Sequence, residues 1–531
     1  MRVGMCEPLL WLTRRRTGLS LFYGGLVRTK NVISVLSSVL MIAALVTVQW
    51  VLYAFSLAFD NDGMSKGAYN RHSLFGSLGN GGLRHVRTHA LGSTTTYPLS
   101  TVVTFQLSFA IITVALISGA YVERMKHTAV MLFSSLWLLA VYCPLAHMVW
   151  SGDGALLHDL GVLDFAGGLV VHTSSGVAGL VCAMCIRQRS GYPRIPRAPH
   201  SLVLTHIGAA FLFVGWIGFN AGSAGAADYV AAQALLVTIV AAASGIIAWS
   251  LVEWTLFTRP SSLGMMSGAL AGLVGITPAS GSAGPLGALF IGAFCAVATF
   301  LASTRLKEWL AVYDDALDAF GIHGVGGICG ALWTGVWCSP ALGGQGNGVF
   351  IHKGGRSENI DSIGWQLGMQ ALSVVIVVFW VIVGTLLSLK LTDLMHGGFH
   401  FRLHLCNIRV SPEAEKLGLD EAQFAETGYQ IVPSDMRISV EIGPLRGREG
   451  HGLHLSMTDE EGTHHPIQLH AEPDQHDALA VSLAQGGGMI ALVGSPDNKG
   501  WSFGASEVSI RGGHAAERAL RMSEDGARVD E

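Results

Sequence analysis

Two histidines sit in matched surroundings. Residues 172–179 read His172-xxx-Gly176-xx-Gly179, and residues 323–330 read His323-xxx-Gly327-xx-Gly330. Each is preceded by an aspartate and an aromatic–small cluster, Asp164-Phe-Ala-Gly-Gly in one case and Asp318-Ala-Phe-Gly in the other. Imidazole has the side-chain pKa nearest neutrality, so it can hydrogen-bond a small polar solute or pass a proton at little cost. Both segments are apolar, and an ionisable group inside a bilayer is costly; such groups usually face the bundle interior and mark a pathway or relay. One such histidine alone is better explained by a backbone carbonyl partner in the core. Two in a repeat favour a shared function. Glycines at i+4 and i+7 lie on the histidine's own helix face, which lets that face approach a neighbouring backbone closely.

The elements that carry them are membrane helices. Half of the 531 residues are hydrophobic, only 13% are charged and mean hydropathy is +0.46. Soluble domains carry about 25% charged residues. The 67 glycines suit close helix contact in lipid and show no collagen period. A spanning helix needs about 20 mostly apolar residues. Candidates begin near 31, 128, 166, 201, 228, 286 and 364, with shorter or Gly/Pro-interrupted ones at 99–121, 262–282 and 319–340. The first span, 9–27, is broken by Arg14, Arg15 and Arg16. The expected fold is an all-α integral membrane bundle of eleven helices over residues 1–400. The histidines then fall on the fifth and tenth helices, which run oppositely in two five-helix halves of inverted topology. At 1.5 Å per residue, His172 lies about 12 Å past Asp164 and His323 about 7 Å past Asp318. Together these fall short of a core of roughly 30 Å, so the imidazoles meet only if both aspartates lie inside the membrane boundary.

Charge separates the tail. Residues 431–531 hold 16 acidic and 8 basic residues, a net of −8, against +4 for the first 430. We read residues 401–430 as a cytoplasmic tail and 431–531 as a soluble acidic extension, disordered or weakly β. With the tail inside, inner connections hold eleven Lys and Arg and outer ones six, which puts the N-terminus outside. Met1–Ser20 lacks the apolar core and cleavage site of a signal peptide. Cys143, Cys182, Cys185, Cys295, Cys329 and Cys338 lie in or beside apolar runs, where cysteine packs as a small hydrophobe. The Cys182–Cys185 CxxC alone is weak evidence for redox or metal work. No cofactor, metal or nucleic-acid partner is expected, nor an enzymatic activity.

Further segments join the histidines: Phe22-Tyr-Gly-Gly-Leu-Val-Arg-Thr-Lys-Asn31, Phe105-Gln-Leu-Ser-Phe109, Ala146-His-Met-Val-Trp150, Gly215-Trp-Ile-Gly-Phe-Asn-Ala-Gly-Ser223 and Asp314-Asp-Ala-Leu-Asp318. From about residue 20 to 430, in order and spacing, the chain resembles the Amt/Mep/Rh ammonium transporter family. Asp-Asp-Ala-Leu-Asp and the Gly-Leu-Asp-Glu-Ala of the tail look most like its fungal branch. The resemblance implies that Phe109, Trp150 and Ser223 form an outer site for ammonium, and that Phe109 and Phe219 form a stacked gate. It further implies that Asp164 shapes the vestibule and acts in ammonium deprotonation or its electrostatics, and that His172 and His323 are the paired pore histidines. Ammonia would then cross the apolar stretch, with or without its proton. A plasma-membrane homotrimer with a pore in each subunit, and a cytoplasmic regulator acting at the tail, are also implied.

Plain structural readings stand beside these. Phe109, Trp150 and Phe219 alone would pass as packing, and Asp164 as a helix N-cap. His147 and His206 are read as packing or capping residues. The chain departs from the family at Trp11-Leu-Thr-Arg-Arg-Arg-Thr-Gly18, where an apolar half-helix is expected and a truncated or misassigned N-terminus is the preferred explanation. It departs again at Glu426-Thr-Gly-Tyr429. Beyond 431 the resemblance stops; Ile438–Ile442 and Val508–Ile510 alternate like strands, and seven of 21 histidines fall there without a compact metal spacing. Two other functions remain open: an ammonium sensor signalling through the tail, and a haem redox protein using the histidines as axial ligands.

Overall fold

The computed structural model describes residues 17–86, 98–194, 197–310, 314–346, 350–353, 356–359, 362–397 and 407–429, together with short strand segments between 437 and 510. The chain divides into two units, Met1–Glu426 and Thr427–Glu531. Arg14, Arg15 and Arg16 lie outside the described residues, as do His470, His476 and His514; His451, His454, His464 and His465 lie on described strand segments.

The first unit is helical. A helix over residues 17–26 (α1) precedes ten helices long and apolar enough to cross a membrane. These are Thr29–Phe59 (α2), Leu99–Tyr121 (α3), His127–Trp150 (α4), Gly168–Ile186 (α5), Leu202–Gly222 (α6), Tyr229–Phe257 (α7), Ser262–Ala279 (α8), Pro285–Leu306 (α9), Ala319–Trp337 (α10) and Ile363–Gly397 (α11). The expected all-α membrane fold is therefore present, with the histidines on α5 and α10. Polar residues fix several starts: Ser201, Asp228 and Ser261 accept the first amides of α6, α7 and α8, satisfying donors a helix end leaves bare.

The two halves repeat one packing plan. In the first half α2 packs against α3 and α4; in the second, α7 packs against α8 and α9. The halves meet at α1 against α6 and at α5 against α10. At the second crossing Gly176 faces Gly324, Gly179 faces Ala319 and Gly327 faces Gly168 and Thr173. Rising numbers on α5 pair with falling numbers on α10, so the fifth helices of the halves run antiparallel, and the repeat is inverted. α11 packs across α4, α5 and α10. Exposed Leu, Val and Phe side chains on α2, α7, α9 and α11 suit contact with lipid.

Two short helices, Pro412–Leu417 (α12) and Leu419–Phe424 (α13), fold back onto one end of the bundle. The Asp420 carboxylate accepts from the amides of Ile33 and Ser34, at 2.9 and 2.7 Å, and so caps α2 from far along the chain. The His127 amide at the start of α4 donates to Gln423 Oε1. Between them lies an ion cluster. Glu123 meets Arg28 at 3.0 Å and Arg189 at 3.1 Å, and Arg189 meets Asp314 at 2.6 Å. Burial would raise the Glu123 carboxyl, but Arg189, Arg28 and Arg197 outweigh it and hold it at about 2. Asp314 is likewise held at about 2 against its burial, chiefly by Arg189.

In the second unit, Arg437–Pro444 pairs antiparallel with His451–Thr458, and Val508–Ile510 with Met489–Leu492.

Candidate functional site

The histidines are placed by unusual helix starts. Gly168–Thr173 and Ala319–Gly324 both form π turns, each containing its histidine; such wide turns recur at functional sites because they re-aim a side chain inside a helix. A carboxylate holds each start. Asp164 Oδ1 accepts from the amides of Gly167 and Gly168 and Oδ2 from those of Leu169 and Val170, at 2.5–3.0 Å. Asp315 accepts from Ala319 at 3.0 Å and Phe320 at 2.8 Å. Asp315 is therefore the counterpart of Asp164, and the sequence pairing of Asp164 with Asp318 is corrected. Asp318 instead takes a left-handed backbone, φ 56°, and bonds Lys307 at 2.8 Å. The signal lay in the spacing: Asp315 precedes His323 by eight residues, as Asp164 precedes His172. Burial pushes the Asp164 carboxyl up against four amide donors. It also pushes the Asp315 carboxyl up, against the pull of Lys307.

With the aspartates buried inside the bundle, the imidazoles do meet. His172 Nδ1 and His323 Nδ1 lie 3.2 Å apart, with ring planes within 15°. His172 is 1% exposed and His323 7%. Only one proton fits between two facing nitrogens, so one ring donates and the other accepts. When that proton crosses, the acceptor ring must release its Nε2 proton and the donor ring must take one up at its own Nε2; the two tautomers are then exchanged and one proton has been passed along.

One face of α6 runs alongside. Trp216 stacks on His172 at 5.1 Å and 14°, and its Nε1 donates to Thr277 at 2.8 Å. One turn on, Phe219 lies 4.2 Å from Phe109 of α3. A further turn on, Ser223 donates to the Phe219 carbonyl at 2.8 Å. Seven residues of helix separate Trp216 from Ser223, about 10 Å of axis. Trp150 closes the group: its ring is 5.4 Å from Phe109, and its Nε1 donates to the Asp164 carbonyl at 2.8 Å. These contacts bring six of the residues singled out in the sequence into one column, from Trp150 and Asp164 through the Phe109–Phe219 stack and along α6 to the histidine pair; Ser223, the seventh, follows Phe219 on α6 and is bonded to that helix itself. Trp216 was not singled out, although it stands in the same quoted segment as Phe219.

His147 and His206 lie apart from the column. His147 is buried, with its ring nitrogens facing the carbonyls of Ala58 and His72. His206 reaches Ser262.

The column lies within a stretch that matches a family model. The model of the Ammonium Transporter Family matches residues 3–429. An ammonium transporter of Bacillus subtilis is 39% identical over 426 residues, covering 80% of this chain and 96% of that protein. The crystal structure of Saccharomyces cerevisiae Mep2 matches with a TM-score of 0.65 at 33% identity, over 74% of this chain and 87% of its own. That of Candida albicans Mep2 gives 0.66 at 32%, over 76% and 86%.

Proposed function

The chain belongs to the ammonium transporter family, a family of multi-pass membrane transporters rather than enzymes, and on that premise we propose how this one moves its solute. Ammonium is recruited from outside the cell at Trp150, Phe109 and Ser223. Two aromatic faces and a hydroxyl replace part of its water there, cation–π attraction being worth about 0.5–2 kcal/mol. Beyond the Phe109–Phe219 stack the column is buried, and a bare cation meets a heavy penalty there. Ammonium sheds its proton near Asp164 and continues as ammonia along the His172–His323 pair; potassium has no proton to shed. Selectivity follows from that difference in chemistry.

The observation that carries this reading is the Nδ1–Nδ1 contact of 3.2 Å at the buried end of the aromatic column. A shared proton there gives a polar lining without a fixed charge, and a tautomer exchange gives the proton a route of its own. The protein works in the plasma membrane as a homotrimer, its N-terminus outside and its tail inside.

Rescue of an uptake-deficient cell on low ammonium tests the transport. The native chain restores growth, whereas Asp164→Ala and His323→Ala do not; rescue by both variants would refute the assigned roles. Liposome currents with His172→Ala test the relay, which predicts altered current or selectivity.

A second reading, an ammonium sensor signalling through the tail, is favoured by the tail's grip on α2 and α4 through Asp420 and Gln423. Tail deletion that spares uptake and abolishes a growth-linked signal would support it. A cytoplasmic regulator acting at the tail belongs to the same reading.

A further inference from the structure

Asp164 is fixed in place from two sides, and one of them leads to α11. The carboxylate itself is occupied by four amides of its own segment, so its position in the bundle depends on the backbone beside it. That backbone is irregular from 160 to 167, and polar groups on such a stretch need partners when buried. Both main-chain groups of Leu163 find theirs in one side chain. Gln370 Oε1 accepts from Leu163 N at 2.8 Å, and Gln370 Nε2 donates to Leu163 O at 2.8 Å. The same Nε2 donates to Ala331 O of α10 at 3.0 Å. Gln370 is fully buried. Its amide thus copies a strand partner, and it ties the residue before Asp164 to the helix that carries His323. On the other side Trp150 holds the Asp164 carbonyl.

We propose that Gln370 is a positioning residue for transport, an amide clamp that sets Asp164, and through it the Trp150 ring, relative to the histidine column. This rests on the transport reading above. The clamp is directional, with one acceptor and one two-handed donor in fixed places. An apolar side chain of equal volume fills the space without holding the loop. Gln366, one turn earlier on α11, serves as the comparison: it is equally buried, donates to Gly161 O at 2.9 Å, three residues from Asp164, and reaches Gln370 Oε1 only at 3.4 Å, so its loss leaves both bonds from Gln370 to Leu163 in place.

The test is uptake of radiolabelled methylammonium by vesicles containing the full chain, with melting temperatures measured in detergent. Gln370→Leu and Gln366→Leu should lose stability to similar extents. Only Gln370→Leu should raise the apparent KM, about fivefold or more, with Gln366→Leu within about twofold of the native protein. Gln370→Glu keeps the acceptor for Leu163 N and loses the donors. It should raise KM at least about twofold, and it carries the test should Gln370→Leu not fold. A KM that rises equally in the two leucine variants, or stays native in both Gln370 variants, overturns this proposal alone. Native vesicles that take up no methylammonium overturn the transport reading and this proposal with it.

Discussion

Gly176 of α5 lies directly against the backbone of α10 at Gly324: a methyl group on Gly176 would sit 2.1 Å from the Gly324 amide nitrogen. The crossing is one turn past His172 and one residue past His323, so it fixes the distance at which the imidazoles meet. Lipid gives helices no hydrophobic drive to associate, and small residues at a crossing supply close packing in its place.

Gly176→Ala is therefore expected to force the fifth and tenth helices apart. Overpacking of this kind costs about 1–3 kcal/mol, which should appear as a lower melting temperature. Uptake should fall much further than stability, because the Nδ1–Nδ1 contact is short. Native uptake in a folded Gly176→Ala protein would show that this crossing does not set the pair.

Trp150→Leu removes an aromatic face from the recruitment site and the donor to the Asp164 carbonyl. A cation–π contribution of about 0.5–2 kcal/mol, at about 1.4 kcal/mol per tenfold, predicts a rise of roughly 2–30-fold in the apparent KM for methylammonium. Concentration-dependent uptake measures it; an unchanged KM would remove Trp150 from the site.

Asp420→Ala should loosen the tail. The two amides it leaves, those of Ile33 and Ser34, open α2, and loss of such a cap costs about 0.5–2 kcal/mol. Trypsin should then cut faster after Lys416, which lies in the last turn of the docked α12 in the native fold. Cleavage at the native rate would mean that the cap does not hold the tail.

The ion cluster beneath the tail predicts an acid limit. Glu123 and Asp314 are each held at about 2, below their ordinary values of 4.5 and 3.8. A depressed carboxyl contributes stability that is present in full above its unfolded value and lost as pH falls through the folded one. The contribution should therefore be constant above about pH 5 and decline from there toward pH 2. Melting temperatures across that range, compared between the native chain and Glu123→Gln, check it: the two curves should converge at the acid end.

Composition and the repeated His-xxx-Gly-xx-Gly pattern determined a good deal unaided. A charge deficit of this size leaves lipid as the solvent, and long apolar runs then have to be helices, because every backbone amide needs a partner within its own segment. The glycines at i+4 from each histidine marked the faces of α5 and α10 that do cross, and the order of motifs marked the column residues. Tertiary structure alone decided what depends on distance between remote segments. It brought His172 and His323 into contact, because the aspartates that start their helices are buried inside the bundle, a depth no helical rise could supply. It also gave Gln370, Asp420 and the Glu123 cluster their partners: a polar side chain in a sequence shows what it can donate or accept, whereas the fold decides which distant backbone group it meets.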